Sequence, residues 1–402
     1  MSVMKKMTLC ILLIAAIPAC QKPLFDSSSR ESQGGRRISP PASAQDSTEA
    51  GLTVYATAIV FPDSTDWRAG DTRAGKVILF KDGKAIGSLP AEDRPDPDRH
   101  RFMDGHLWTD VTDGTTTTIL CDGAPLFSFP GQESMTGFLV ADGSVHTLGQ
   151  HPGGGFSYRI DGQEIYSSAD GVAVGKAEDP DWEGGTLTRD DTGIYYAYSF
   201  PVHLQDGQVW EHRVMKGGEM IKLLPALAGG ELLDIRVRDE KVYRLENRYG
   251  NICFLKGETI VPINIPVYTQ SVCLVWVDGE MQVRGYSRYR STSVHWIMGG
   301  DGFHYAQVTD VNHLFHLFAS EGKTAYVVLN PDESVAKAAC GETEEEFPPA
   351  TYRLKTRRCA AYKKGVLALA LTNEVSNEHL LVVDGQHISS RFNGYFTGIY
   401  IY

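Results

Sequence analysis

The sequence lacks most of the short motifs that mark enzymes and metal proteins. It has no GxSxG, no HExxH, no Walker loop and no GxGxxG after a strand. Its seven cysteines include no CxxC pair, so neither a zinc site nor a redox motif is indicated. We therefore expect no catalytic residue, no metal and no cofactor, and regard an enzymatic role as the weaker hypothesis.

Positive charge and helical periodicity are also scarce. The chain has 38 Lys and Arg against 50 Asp and Glu, a formal net charge of −12, and no concentrated basic stripe. These features argue against nucleic acid and anionic membrane surfaces as partners. Residues 51–402 show no helical period of useful length. The sequence therefore predicts one all-β domain over 51–402.

The sequence does contain two interleaved series of tight turns, each between short β-branched or aromatic runs. Such turns favour Asp-Gly pairs because both central residues of a type I′ turn need positive φ. The first series comprises Asp104-Gly105, Asp142-Gly143, Thr192-Gly193, Asp239-Glu240, Asp278-Gly279, Glu321-Gly322 and Lys364-Gly365. The second comprises Asp82-Gly83, Asp122-Gly123, Asp161-Gly162, Gly217-Gly218, Lys256-Gly257, Gly299-Gly300 and Asp384-Gly385.

Two hairpins per repeat give four strands per repeat, which with this spacing predicts the blades of a β-propeller. Eight blades are favoured; seven is the alternative because the repeat at residues 334–354 is irregular. The N-terminal unit has only three strands, whereas Tyr395 to Tyr402 is a strand left over. We expect the two termini to pair and close the ring, which removes exposed sheet edges.

The N-terminus predicts export and lipid anchoring. Lys5 and Lys6 precede an apolar stretch, Met7 to Ala19, that is too short to span a bilayer. The sequence Ile17-Pro18-Ala19-Cys20 resembles the lipobox of bacterial lipoproteins, although Pro18 departs from the commonest pattern. This resemblance implies a signal peptide over 1–19 and lipidation, with palmitate among the acyl chains, at Cys20. An ordinary secretory signal is the alternative. Residues 21–50 are too polar to fold and are expected to form a tether.

Long loops on one face of the ring hold the candidate ligand-binding residues. Carboxylates next to aromatic rings suit a sugar, because the ring packs on its C–H face and the acids accept its hydroxyl groups. The candidates are Asp63, Asp66, Trp67, Asp179, Asp181, Trp182, Tyr249 and Tyr289. The two Trp residues could instead pack between blades. A further acidic loop spans residues 90–100. Cys340 and Cys359 flank the charged insertion at residues 342–358 and could form a disulfide in an oxidising compartment.

Taken whole, the chain resembles envelope-anchored β-propeller lipoproteins of Bacteroides-like bacteria. The likeness rests on the lipobox, the polar tether and turns such as Val140-Ala141-Asp142-Gly143. It implies an outer-membrane anchor and a role in glycan capture or in assembly of envelope complexes. Our hypothesis is a non-enzymatic binding module for a glycan or an envelope protein. One alternative is a polysaccharide-acting enzyme, hydrolase or lyase, with a carboxylate pair drawn from Asp63, Asp66, Asp179 and Asp181. The other is a purely structural envelope role.

Overall fold

The computed structural model describes residues 52–402 apart from short gaps. The gaps are 63–74, 93–95, 97–98, 132, 175–185, 205–206, 225–229, 239, 262–268, 278–279, 290–291, 300–301, 310–312 and 321–322. The expected signal peptide, Cys20 and the tether lie outside the described residues. Within the described part of the chain, no helix is long and apolar enough to cross a bilayer.

The strands of the first half of the chain form blades 1 to 4. In blade 1 lie β1 (Val54–Val60), β2 (Gly75–Lys81) and β3 (Lys84–Glu92), and in blade 2 β4 (Arg101–Met103), β5 (His106–Thr112), β6 (Thr116–Cys121) and β7 (Ala124–Pro130). Blade 3 has β8 (Ser134–Ala141), β9 (Ser144–Gln150), β10 (Phe156–Ile160) and β11 (Gln163–Ser168). Blade 4 has β12 (Val172–Val174), β13 (Thr188–Asp190), β14 (Gly193–Leu204), β15 (Gly207–Lys216) and β16 (Glu219–Leu224).

The second half forms blades 5 to 8. Blade 5 has β17 (Gly230–Arg238), β18 (Lys241–Arg248), β19 (Asn251–Lys256) and β20 (Thr259–Val261), and blade 6 has β21 (Thr269–Val277), β22 (Glu280–Tyr289), β23 (Thr292–Gly299) and β24 (Gly302–Thr309). Blade 7 has β25 (His313–Ser320), β26 (Lys323–Leu329), β27 (Val335–Cys340) and β28 (Thr343–Glu346). A 3-10 helix (Arg357–Cys359) precedes blade 8, which has β29 (Ala360–Lys363), β30 (Val366–Leu371), β31 (Glu378–Val383) and β32 (Gln386–Arg391), and β33 (Gly394–Ile401) follows.

The eight sheets confirm the predicted eight-bladed propeller and its closure. Each blade is an antiparallel sheet of four strands in chain order, except that blade 1 is ordered β3-β2-β1-β33 and blade 4 has a fifth segment. The C-terminal strand β33 pairs with β1 from Val54 opposite Ile401 to Val60 opposite Gly394. The last strand of the chain is therefore the innermost strand of the first blade, and the ring has no open junction.

The predicted turn chemistry is also observed. Asp and Gly both have positive φ at turns such as Asp104-Gly105 and Asp384-Gly385, as a type I′ turn requires. Blade 7 has its own turn at residues 341–342, where Gly341 has a φ of 60°. The irregularity of this repeat instead lies after β28, where Arg353 bridges to Ser334 and Thr372. Seven blades are therefore excluded.

Two faces follow from this connectivity. The turns between first and second strands and between third and fourth strands share one end of the blades, here called the turn face. The second-to-third and blade-to-blade connections share the other, here called the connection face. Between them lies the core, in which the described residues form seven apolar clusters, and six of these join two neighbouring blades. The seventh joins blades 7, 8 and 1 and includes Phe318, Leu369 and Phe396.

The structure contains no bond between Cys340 and Cys359. Cys340 ends β27 at the turn face, where its thiol donates to the Gly365 carbonyl at 3.2 Å. Cys359 precedes β29 at the connection face and donates to the Phe396 carbonyl at 3.4 Å. The two thiols lie at opposite ends of their blades, so the disulfide considered from the sequence is not present.

Candidate functional site

One predicted ligand-binding residue, Tyr249, is described in full and lies on the connection face. It occupies the turn between β18 and β19 with a φ of 52°, followed by Gly250 at 83°. Positive φ is rare for a bulky side chain, since the Cβ crowds the backbone. The side chain of Tyr249 is 80% exposed. The turn therefore presents an aromatic ring to solvent at the end of blade 5.

The other predicted residues are only partly placed. Tyr289 ends β22 opposite Thr292 of β23, beside the connection at 290–291. The remaining six, Asp63, Asp66, Trp67, Asp179, Asp181 and Trp182, lie outside the described residues. For these six, the roles assigned from the sequence stay predictions.

The insertion that contains Trp182 leaves blade 4 from an unexpected point. The sequence predicts that Asp179, Asp181 and Trp182 lie in a long loop, and β12 occupies residues 172–174, shortly before them. β12 and β13 both pair with β14, so they are two halves of one inner strand, interrupted after Val174. The insertion thus leaves from the middle of the innermost strand rather than from a blade-to-blade connection.

Blade 4 also has a hairpin that extends beyond its own sheet. β12 pairs with β14 no farther than Ser199, and β16 pairs with β15 no farther than His212. Among the described strands, residues 200–204 and 207–211 therefore pair only with each other, from Phe200 opposite Glu211 to Leu204 opposite Gly207. This two-stranded segment, here called the blade 4 hairpin, projects from the connection face.

The blade 4 hairpin carries an exposed tryptophan that the sequence analysis did not select. Trp210 lies opposite Pro201 and is 43% exposed, with exposed His203 on the same strand face by alternation. The length of the two strands is the signal that could have identified this hairpin. β14 and β15 span 12 and 10 residues, whereas most other strands of the ring span eight or fewer.

The opposite strand face of the hairpin base is an aromatic platform held by an arginine. The Arg213 guanidinium lies 4.1 Å from the ring centre of Phe200 and donates to the Tyr198 hydroxyl at 2.9 Å. Tyr198 and Tyr166 share a 2.5 Å hydrogen bond. Burial, followed by the hydrogen bond with Tyr166, raises the pKa of Tyr198 to about 12. These contacts fix the hairpin base, so the orientation of the projecting segment is set by packing.

Below the hairpin, a histidine of the same strand is held neutral. Ser199 Oγ and His212 Nδ1 lie 2.7 Å apart. Burial, aided by the nearby Arg244 charge, lowers the pKa of His212 to about 4. An imidazole of this kind has no carboxylate partner among its described contacts. We therefore assign it to packing of the hairpin rather than to proton transfer.

A buried polar cluster between blades 2 and 3 contains Ser, His and Glu but lacks the arrangement of a catalytic triad. Arg159 binds Glu133 in a bidentate pair at 2.6 and 2.8 Å, with side chains only 5% and 3% exposed. His151 Nε2 lies 3.0 Å from Ser157 Oγ and 3.2 Å from Glu133 Oε1. A triad needs the acid on one ring nitrogen and the hydroxyl on the other. Because both contacts converge on Nε2, the ring cannot relay a proton between them.

Other buried carboxylates are also tied to arginine. In blade 5, Asp234 accepts from Arg236 at 2.8 Å and from the Leu274 backbone amide of blade 6 at 2.8 Å. Glu246 accepts from Arg244 at 3.1 Å and from Arg248 at 2.6 Å. These carboxylates pair with arginine side chains, and Asp234 also accepts a hydrogen bond from a neighbouring strand. Their role is therefore structural.

The acidic loop at 90–100 shows the same pairing where it is described. Asp96 lies 3.3 Å from Arg99, and Asp110 binds Arg101 at 3.0 Å. The Arg358 guanidinium of the 3-10 helix donates to the His100 carbonyl at 2.9 Å, which joins blade 8 to blade 2 at this end of the ring. Arginine side chains thus hold this part of the connection face together.

The comparisons with known proteins show a likeness in fold only. No protein-family model and no curated protein matches this sequence. Among solved structures, a eukaryotic initiation factor matches with 10% identity and a TM-score of 0.45, covering 87% of this chain and 99% of that chain. BamB from Moraxella catarrhalis matches with 13% identity and a TM-score of 0.34, covering 69% and 77%. A quinonprotein alcohol dehydrogenase-like protein from Bacteroides thetaiotaomicron matches with 12% identity and a TM-score of 0.34, covering 86% and 90%. Such low identities and scores assign no function.

Proposed function

We propose that this protein is a membrane-anchored, non-enzymatic binding module that takes a glycan or an envelope protein on its connection face. The observation that supports the proposal is the pair of exposed aromatic side chains there. Trp210 and Tyr249 lie on blades 4 and 5, which are neighbours joined by a shared apolar cluster. Both occur at second-to-third strand connections, so they face the same side of the ring.

The chemistry of these side chains fits recognition. An aromatic ring offers an apolar surface to a sugar C–H face or to a protein side chain, and its polar tip can still form a hydrogen bond. Trp, Tyr and Arg are also the residues that contribute most to protein interfaces. Arg248 precedes Tyr249 in the chain, and its guanidinium is held in position by the Glu246 carboxylate. The sequence predicts that Asp179, Asp181 and Trp182 contribute to the same binding site.

The anchor is part of the proposal. Lipidation of Cys20 would fix the chain to the outer membrane, and the polar residues 21–50 would hold the propeller roughly 30 Å away from it. Cys20→Ser should abolish incorporation of labelled palmitate and move the protein into the soluble envelope fraction. Palmitate labelling that persists in Cys20→Ser would contradict the anchor without affecting the binding proposal.

The binding proposal is tested with the purified full-length chain on a polysaccharide array, scored also for released fragments, and by crosslinking in native envelopes. Truncating a residue at the centre of a binding site typically costs about 2 kcal/mol, or roughly thirtyfold in affinity. We expect Trp210→Ala and Tyr249→Ala each to weaken binding on this scale while leaving the melting temperature unchanged. Trp67→Ala and Trp182→Ala should act in the same way.

The matched control is Met220→Ala. Met220 is 53% exposed but lies on the outer strand β16, beside the turn at Gly217-Gly218 on the turn face. Glycan binding that is lost only in the connection-face variants supports a glycan ligand, and crosslinking lost only in those variants supports a protein ligand. Released fragments would make the protein an enzyme. Binding that all these variants retain, or that Met220→Ala weakens equally, refutes the site.

A further inference from the structure

Three side chains with metal-ligand atoms converge on the turn face of blade 2. His106 begins β5, Cys121 ends β6, and Asp122 is the first residue of the following turn. The ligand atoms His106 Nδ1, Cys121 Sγ and one Asp122 oxygen all lie within 4.8 Å of one another. His106 Nδ1 and Asp122 Oδ2 are only 2.7 Å apart. The cluster lies at the end of the ring opposite the proposed ligand face.

The Asp122 carboxylate is already oriented by the backbone. Its Oδ1 accepts from the Leu107 amide at 2.9 Å, and the Asp122 amide donates to the Leu107 carbonyl at 2.8 Å. Oδ2 is thereby directed at His106. In metal centres, a hydrogen bond of this kind to one carboxylate oxygen fixes the other as a single ligand atom.

Two other blades repeat the backbone part of this arrangement without its ligands. Asp82 Oδ1 accepts from Val54, and Asp161 Oδ1 accepts from Val145, with the same reciprocal backbone bond in each case. The position of His106 is occupied by Thr53 in blade 1 and Ser144 in blade 3. The position of Cys121 is occupied by Lys81 and Ile160, respectively. The turn therefore requires only the Asp, and the His and Cys of blade 2 are not needed to build it.

We infer that His106, Cys121 and Asp122 bind a thiophilic divalent cation of the zinc type, with water as the fourth ligand. A thiolate and an imidazole select zinc over the hard cations calcium and magnesium, which take oxygen ligands. Zinc with three protein ligands and one water is a standard coordination. The thiolate and the carboxylate together balance the charge of the ion. His106 is 27% exposed on its side chain, against 6% for Asp122, so the water position would open on the His side.

The required movements are small. Zinc bond lengths of about 2.0–2.3 Å at tetrahedral angles place ligand atoms roughly 3.4–3.6 Å apart. The His106–Asp122 contact would lengthen by roughly 0.7 Å, and the Cys121 separations, at most 4.8 Å, would shorten by about 1.2 Å or less. Binding releases the Cys121 thiol proton to solvent and requires the His106 proton to reside on Nε2. Zinc affinity therefore falls as the pH is lowered.

The test uses the purified full-length chain after removal of metals with a chelator. Zinc is titrated in competition with a chromogenic chelator, and cobalt(II) is used as a spectroscopic probe. We expect one equivalent of zinc, a thiolate-to-cobalt charge-transfer band, and a higher melting temperature with zinc. His106→Ser and Cys121→Ala should each weaken zinc binding by at least about tenfold, the scale of even an outer-shell change. Cys121→Ala should also abolish the charge-transfer band.

Two variants distinguish a loss of zinc binding from a loss of folding. His106→Ser installs the residue that blade 3 has at this position, so its metal-free melting temperature should equal that of the wild type. Asp161→Asn alters the same turn bond in blade 3, where no ligand set exists, and should leave zinc affinity unchanged. Absence of stoichiometric zinc binding overturns the inference. So does zinc binding that His106→Ser and Cys121→Ala leave unchanged, because the ion would then lie elsewhere.

Discussion

Acidification should destabilise the propeller through His379, a fully buried residue of β31. Its Nδ1 accepts from the Asn373 backbone amide at 3.2 Å, so the proton resides on Nε2, which lies 3.0 Å from the Phe392 carbonyl. This geometry suits only the neutral ring, since a proton on Nδ1 would face the Asn373 N–H. Burial lowers the pKa of His379 from 6.5 to about 4.

The direction and size of the effect follow from that pKa. Between pH 6.5 and about 4, the unfolded chain binds a proton at this residue and the folded chain does not. The free energy of unfolding therefore decreases as the pH falls below 6.5, by up to about 1.4 kcal/mol per pH unit. The contribution is fully present above pH 6.5. By pH 4 the loss amounts to about 3 kcal/mol.

The assay compares wild type with His379→Gln by urea unfolding at pH steps from about 7.5 to about 4.5. Gln offers an amide oxygen and an amide N–H to the same partners but does not titrate. The stability advantage of the wild type should shrink steadily as the pH falls. The wild-type-minus-variant difference cancels the contributions of the other buried histidines, His100, His146, His212 and His316, whose pKa values are lowered in the same direction. Parallel stability curves for the two proteins would refute the assignment of a neutral His379.

Three further predictions concern packing and closure. Glu133→Ala should cost about 3–5 kcal/mol in urea unfolding because it leaves the Arg159 guanidinium buried without its bidentate partner. Replacing the pair together by Leu and Met should restore most of that loss; if it restores none, the cost comes from packing rather than from the unpaired charge. Gly285→Ala should cost about 1–3 kcal/mol and shift tryptophan emission, since a Cβ there would lie 2.1 Å from the Trp296 ring. Deletion of residues 394–402 should expose the β1 edge and yield aggregates on size-exclusion chromatography; a monomeric, cooperatively melting product would show that closure is dispensable.

Much of the fold was predictable because propeller blades are encoded locally. The identity of two adjacent residues determines whether a type I′ turn forms. Pairs such as Asp104-Gly105 therefore predict a hairpin without reference to the rest of the chain. The spacing of these turns gives four strands per blade and favours eight blades, and the eight sheets of the structure exclude the alternative of seven. Ring closure was also predictable, because an N-terminal unit short of one strand and a C-terminal strand left over imply each other.

The candidate site was less predictable, because exposure and proximity depend on the assembled ring. Tyr249 was selected from its loop and lies exposed, whereas Trp210 was not selected, because a strand residue gives no sign of projecting beyond its sheet. Cys340 and Cys359 are near in sequence yet lie at opposite ends of their blades.

By itself, the sequence determined the turns, the repeat and the pairing of the termini, and it favoured eight blades over seven, because each depends on residues that are adjacent or on simple counting. Only the tertiary structure decided which side chains lie close together in space. His106 and Cys121 belong to separate strands and show no ligand motif, and the pairing of β5 with β6 brings them to one turn. Side-chain convergence depends on the register of the paired strands and on where each strand ends, and no ligand motif in the sequence reports either of these.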